Sequence, residues 1–168
     1  MTLEQRAEQR RLSAGRIQVR GARGDDRMAL LALRQEATDA LRRIYLPKDE
    51  VPGLRRVMPR FETLVALVDG QLVGTLEYTL AHEAVYLQGL GVAETWQGQG
   101  VARRLVEAAA DLAERYPLPK LELCTIRETG NVQVFERLGF TVCGEAPSTQ
   151  FIGAVGQPVS EVVMMKQL

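Results

Sequence analysis

The sequence has few cysteines, no excess of charge and no long apolar run. Only two cysteines occur in 168 residues, which argues against a disulfide framework and favours a reducing compartment. Lys plus Arg equal Asp plus Glu at 21 each, so the chain as a whole offers no field for nucleic acid or an anionic membrane. No apolar run approaches the roughly 20 residues of a membrane span, and residues 1–16 lack the apolar stretch of a signal peptide. We therefore expect a cytoplasmic protein, without nucleic-acid or membrane partners, that acts on a small molecule or peptide.

The proportions of apolar and charged residues are those of an ordinary globular domain. Apolar residues make up 46% of the chain and charged residues 25%, and the length is enough for one domain with its own core. We place this domain at residues 17–168. Residues 1–16 are rich in Arg, Gln and Glu, so we interpret them as a polar N-terminal arm, either disordered or folded as an extra surface helix.

Hydrophobic periodicity predicts strands and helices that alternate along the chain. The pair Asp69-Gly70 between two apolar runs is typical of a type I′ turn and predicts a β-hairpin over 62–80. Proline-rich residues 46–59 and residues 147–157 are predicted loops. The other predicted strands are 16–22, 84–92, 120–126, 140–146 and 158–168, and the predicted helices are 25–45, 101–116 and 129–138. This order indicates a mixed sheet with helices on its faces.

Two glycines in the stretch Gln97–Ala102 lead into a predicted helix. They could form an ordinary turn, or belong to a dinucleotide fingerprint in which Arg103 stands where a small residue is required. They could also form an anion cradle. Consecutive N–H groups at the positive end of a helix suit a pyrophosphate, and glycine lets the phosphate approach the backbone.

Three motifs in this chain resemble those of the Gcn5-related N-acetyltransferases. QGQGVA (97–102) matches the family signature Q/R-x-x-G-x-G/A, FERLGF (135–140) is similar to the end of the family's last helix, and VVMMKQL (162–168) is similar to its closing strand. The resemblance covers residues 16–168. It implies an α/β fold with a central, mostly antiparallel sheet of six to seven strands, splayed between strands 4 and 5 and flanked by about four helices.

The resemblance also implies acetyl-CoA as cosubstrate and no metal. The pyrophosphate would rest on the loop 97–102, and backbone groups near Leu90 and Val92 would pair with the pantetheine arm and polarise the acetyl carbonyl. Gly91 would allow the backbone to bulge there, although it could also merely relieve crowding. The expected cofactor-binding residues are Leu90, Gly91, Val92, Gln97, Gly98, Gln99, Gly100, Val101, Ala102, Asn131 and Phe135.

The implied reaction is direct attack of a primary amine on the thioester, with backbone donors stabilising the oxyanion. The tyrosine that often serves as general acid in this family falls at Phe135, which has no proton to donate. Glu77 and Glu122 are the candidate general bases, and His82 is a weaker one in an exposed connection. Cys124 lies in an apolar run, and we expect it to be inert core.

The departure at Phe135 supports an alternative function, a CoA-binding regulatory or degenerate module without turnover. The expected partners are acetyl-CoA and an acceptor that bears an amine, recognised by the region 25–60. The arginines of that region could favour an acidic acceptor or simply form a solvated face. A homodimer is compatible with the sequence.

Overall fold

A seven-stranded sheet organises the protein, in a computed structural model that describes residues 1–48 and 60–168. The α-helices in these ranges are α1 (Leu3–Arg16), α2 (Arg27–Arg42), α3 (Val101–Arg115) and α4 (Asn131–Arg137). The strands are β1 (Ile17–Gly21), β2 (Tyr45–Pro47), β3 (Glu62–Val68), β4 (Gln71–Leu80), β5 (Ala84–Val92), β6 (Lys120–Ile126), β7 (Thr141–Pro147), β8 (Phe151–Gly153) and β9 (Ser160–Gln167). Most of the loop predicted over 46–59 falls outside the described residues.

The strands run in the order β1-β3-β4-β5-β6-β9-β7 across the large sheet. Neighbouring strands are antiparallel except β5 and β6, which are parallel. That parallel ladder joins only residues 84–87 to residues 120–123, so β5 and β6 part beyond it. The predicted fold class is therefore confirmed, since β5 and β6, the fourth and fifth strands of this mostly antiparallel sheet in chain order, are splayed. The dinucleotide interpretation of the glycines is wrong, because that fingerprint belongs to a parallel, doubly wound sheet.

The β3–β4 hairpin turns at the predicted dipeptide. Asp69 and Gly70 have φ of +49° and +78°, and two successive positive φ angles define a type I′ turn. Arg16, at the end of α1, forms an ion pair with Asp69. Helix α1 thus meets the turn of the hairpin, while the division into an arm and a domain stays a prediction. In the described ranges, none of the helices combines the length and apolar character needed to cross a membrane.

Helix α3 packs against the large sheet and fixes the position of the glycine loop that precedes it. Its apolar positions repeat every three to four residues and are buried at Val101, Leu105, Val106, Ala109 and Ala113, and full burial of a leucine or valine contributes about 1.5–3 kcal/mol. Gly74 on β4 makes room for the first turn of α3, since a Cβ at Gly74 would lie 2.6 Å from Val101 Cγ1. The start of the helix is therefore closely fitted to the sheet.

A second, two-stranded sheet joins β8, which lies within a predicted loop, to β2, which begins at Tyr45, the last residue of a predicted helix. Strand β8 pairs antiparallel with β2, in the register Tyr45 with Gly153 and Pro47 with Phe151. The rings of Tyr45 and Phe151 meet edge to face with centroids 5.1 Å apart. The prediction of residues 147–157 as uninterrupted loop is wrong, because strands of three residues are too short to show an alternating pattern.

Candidate active site

Two cavities open where β5 and β6 part. The first, the aromatic pocket, has a volume of about 720 Å³ and is lined by rings that include Tyr86 and Phe151. The second, the loop pocket, has a volume of about 680 Å³ and is lined by residues 96–103. Leu90 and Asn131 line both cavities, so the two spaces meet at the splay.

The loop pocket is bordered by backbone N–H groups that precede a helix. The amide of Arg104 donates to Gly100 O at 3.0 Å, so the N–H groups of residues 101–103 come before the first bond of this kind. Gly98 and Gly100 have φ of +76° and +90°, and a Cβ on either would meet nothing within 4 Å. Glycine is favoured here by the left-handed backbone, and the space beside it is open to a ligand.

Side chains fasten this loop and add positive charge to its pocket. Gln97 Nε2 donates to Val92 O and Gln99 Nε2 donates to Thr95 O, both at 3.2 Å. Arg103 and Arg137 line the loop pocket, and Arg103 Nη2 donates to the backbone oxygen of Arg137 at 3.2 Å. Two guanidinium groups and the helix N-terminus together favour an anion in this cavity.

Strand β5 contains a bulge beside the splay. Residues 88 and 91 pair with residues 77 and 75 of β4, so β5 carries one extra residue, and residues 89 and 90 have no partner in that ladder. Gly89 supplies the required left-handed backbone, with φ of +63°. The prediction that Gly91 makes the bulge is wrong. A Cβ at Gly91 would lie 3.4 Å from Ala37 Cβ, so this glycine allows close packing of α2.

The candidate general bases lie outside the lining of the aromatic pocket. Glu77 Oε1 lies 3.3 Å from Arg34 Nη2, and Glu77 Oε2 accepts a hydrogen bond of 3.2 Å from Gln88 Nε2. Glu122 Oε2 lies 3.8 Å from Lys120 Nζ. Gln88 does line the pocket, so Glu77 contacts one of the residues of the cavity wall through this hydrogen bond. His82 is exposed in the β4–β5 connection, just before the first residues of β5, which are still paired with β6.

Comparison with known families decides what this arrangement is. Residues 30–140 match the model of the acetyltransferase (GNAT) family, a span that includes the bulged strand, the glycine loop and α4. The chain belongs to this family. It is thus an acetyltransferase, and no curated protein sequence matches it.

Solved structures of acetyltransferases share the fold of this acetyltransferase. A GCN5-related N-acetyltransferase from Kribbella flavida has a TM-score of 0.70 and 24% identity, over 92% of this chain and 99% of that one. A ribosomal-protein-alanine N-acetyltransferase from Brucella melitensis has a TM-score of 0.66 and 20% identity, over 90% and 99%. An acetyltransferase from Bacillus anthracis, in complex with acetyl coenzyme A, has a TM-score of 0.58 and 17% identity, over 72% and 70%.

Most of the residues expected to bind the cofactor gather around the loop pocket of this acetyltransferase. Its lining includes Leu90, Val92, Gln97, Gly98, Gln99, Gly100, Val101, Ala102 and Asn131. Phe135 instead lines the aromatic pocket, where its ring packs edge to face on Phe140 with centroids 5.8 Å apart. Gly91 lines neither cavity. Trp96 packs against the core and also lines the loop pocket.

The aromatic pocket contains one residue that was predicted wrongly from the sequence, Cys124, and one that sequence reasoning missed, Glu161. Cys124 is exposed on β6 and lines the pocket, so its prediction as core is wrong. Partial desolvation of the thiol within the pocket, and then the charge of Glu161, raise the pKa of Cys124. Glu161 lines the same cavity and was not singled out. The pattern of β9 alone does not show that its first residues face the splay. In the part of the chain that the structure describes, no cluster of His, Cys, Asp and Glu could hold a metal ion.

Proposed function

We propose that this acetyltransferase moves the acetyl group of acetyl-CoA to a primary amine of a small molecule or peptide, in the cytoplasm, by direct attack of the amine. The observation that carries the proposal is the meeting of two cavities at Leu90 and Asn131. One cavity has the donors and charge for a pyrophosphate, and the other has room for an acceptor. A thioester at the junction would be reachable from both sides.

The glycine loop is the proposed pyrophosphate site. The N–H groups of residues 101–103 precede the first i→i−4 bond of α3, from Arg104 to Gly100 O, and no side chain of the N-cap residue caps this helix. They border a cavity with Arg103 and Arg137. Hydrogen bonds to a charged partner contribute about 1.5–3 kcal/mol each. The open space beside Gly98 and Gly100 is what such an anion requires, because a Cβ there would fill it.

Strand β5 is the proposed binding strand for the pantetheine arm, through Leu90, Gly91 and Val92. The bulge removes residue 90 from the β4 ladder, and beyond residue 87 the strand has no pairing with β6. Backbone groups in such a gap must find partners. An extended amide chain can supply them, and a free N–H near the acetyl carbonyl would stabilise the developing oxyanion.

The reaction requires loss of a proton from the ammonium group before attack. The amine nitrogen then bonds to the acetyl carbon and loses a second proton to water. The C–S bond breaks, and CoA leaves as the thiolate. Glu77 and Glu122 stay the proposed bases, each acting through water, since neither lines the aromatic pocket. Phe135 supplies no proton to the thiolate, which is a tolerable leaving group because a thiol has a pKa of about 8.5.

The test combines cofactor binding with release of free thiol. The chain has a single tryptophan, Trp96 in the loop pocket, so its fluorescence should change saturably with CoA. Acetyl-CoA should then yield free thiol when a panel of primary amines is supplied. Saturable binding without thiol release on any amine would support the alternative, a CoA-binding module without turnover. Absence of CoA binding by calorimetry would refute the proposal.

A further inference from the structure

The aromatic pocket gathers most of the ring side chains of a chain that has few. Phe, Tyr and Trp number nine in the sequence, and five of them line this cavity: Tyr45, Phe61, Tyr86, Phe135 and Phe151. The rings come from different parts of the fold and stand in pairs, with Tyr45 on Phe151 at 5.1 Å and Phe61 near Tyr86 at 6.5 Å. A cavity with walls of this kind suits a flat, apolar ligand.

The charged side chain in the described lining of this pocket is negative. Among the described residues of the lining, Glu161 is the only side chain with a formal charge, and no described residue forms an ion pair with it. Its carboxylate contributes, after burial and other neighbours, to the raised pKa of Tyr86. It also contributes, after burial, to the raised pKa of the Cys124 thiol. Glu161 therefore lies near both groups and makes this part of the pocket negative.

The arginines of α2 do not offset this charge. Arg34 is held by Glu77 at 3.3 Å and by Thr63 Oγ1 at 3.1 Å. Arg42 lies over the ring of Tyr45, 5.2 Å from its centroid, and does not itself line the cavity. An anionic acceptor would therefore meet Glu161 without a cation from the described lining to balance it. Arg55 and Arg56, which belong to the arginine-containing segment of the acceptor region, lie outside the described residues.

We infer that the acceptor is a small cationic amine with an aromatic or other flat apolar body, whose ammonium group is bound by Glu161 and whose body packs between the rings. This inference rests on the proposed function and specifies its substrate class. An ammonium group is also attracted to the faces of Tyr and Phe rings, so charge and shape select the same ligand. A volume of about 720 Å³ is that of a small-molecule cavity.

The substrate class can be tested with amines that differ in one property. Release of thiol from acetyl-CoA is followed with 2-phenylethylamine, with ethylamine, which lacks the ring, with phenylalanine, which adds a carboxylate, and with a short peptide. We expect kcat/KM for 2-phenylethylamine to exceed that for each of the others by about tenfold, because ethylamine loses the packing on the rings, the carboxylate of phenylalanine is repelled by Glu161, and the peptide lacks the small flat body. A preference for phenylalanine or for the peptide would overturn the inference.

The role of Glu161 is tested by Glu161→Gln, which keeps the shape and removes the charge. We expect KM for 2-phenylethylamine to rise about tenfold while KM for acetyl-CoA is unchanged. Glu114→Gln is the matched control, since Glu114 is exposed near the end of α3. An unchanged KM for the amine in folded Glu161→Gln protein would refute the assignment of Glu161.

Direct binding separates this inference from the proposed function. Calorimetry with 2-phenylethylamine is carried out on the wild type and on Glu161→Gln, with and without CoA, and needs no turnover. Binding that is lost in the variant supports the inference even where no amine is acetylated. No binding of 2-phenylethylamine to a protein that binds CoA overturns the inference alone, whereas failure to bind CoA overturns the proposed function.

Discussion

Replacement of Gly100 by alanine tests the pyrophosphate loop most directly. Gly100 has φ of +90° and open space where a Cβ would stand. The left-handed backbone costs an alanine about 1–2 kcal/mol, which lowers Tm by about 2–8 °C in a domain of this size. The new methyl group also enters the space proposed for the phosphate. Loss of one charged hydrogen bond, about 1.5–3 kcal/mol, should then weaken CoA binding by about 10- to 100-fold.

A second glycine provides the control for backbone strain. Gly70 has φ of +78°, also with open space at its Cβ position, but lies in the β3–β4 turn. Gly70→Ala should therefore lower Tm by a similar amount and leave CoA affinity unchanged. Affinity is measured by calorimetry, because Trp96 is too close to the altered loop for its fluorescence to be compared between variants. If Gly100→Ala binds CoA as tightly as Gly70→Ala does, the pyrophosphate does not rest on this loop.

Three other substitutions test acid stability, acid catalysis and packing. Arg20, and then the backbone N–H of Arg23, lower the pKa of Asp26 from 3.8 to about 2. The resulting stabilisation is present above the unfolded pKa and is lost as pH falls through the folded pKa, so Asp26→Asn should lower stability near neutral pH and flatten acid unfolding between about pH 4 and 2. An unchanged acid transition in the variant would contradict this prediction. Phe135→Tyr should add to the pH–rate profile a basic limb near the usual tyrosine pKa of about 10, and a profile identical to that of the wild type would show that the new hydroxyl does not reach the thiolate. Gly74→Ala should lower the free energy of unfolding by about 1–3 kcal/mol, because its Cβ would meet Val101 Cγ1 at 2.6 Å; thermal unfolding at the wild-type Tm would mean that α3 shifts freely.

The elements that the sequence predicts well are those that local chemistry specifies. Strands β5 and β6 begin and end at the predicted residues, because apolar residues recur along each segment and polar residues or proline lie close to its ends. The Asp69-Gly70 turn follows from the few residues that accept two positive φ angles. The glycine loop is similarly local, since its backbone and the helix that follows it occupy adjacent residues. Such features hardly depend on the rest of the chain.

The features that sequence reasoning missed join residues far apart in the chain. Strand β2 pairs with β8, which lies about a hundred residues later in the chain. Neither strand is long enough to show an alternating apolar and polar pattern. The bulge is at Gly89 rather than Gly91 because the register of β4 decides which residue is left unpaired. Cys124 and Glu161 line a cavity only because β5 and β6 part beyond residue 87. The glycine loop could therefore be predicted from adjacent residues, whereas the aromatic pocket is formed by side chains that only the folded sheet brings together.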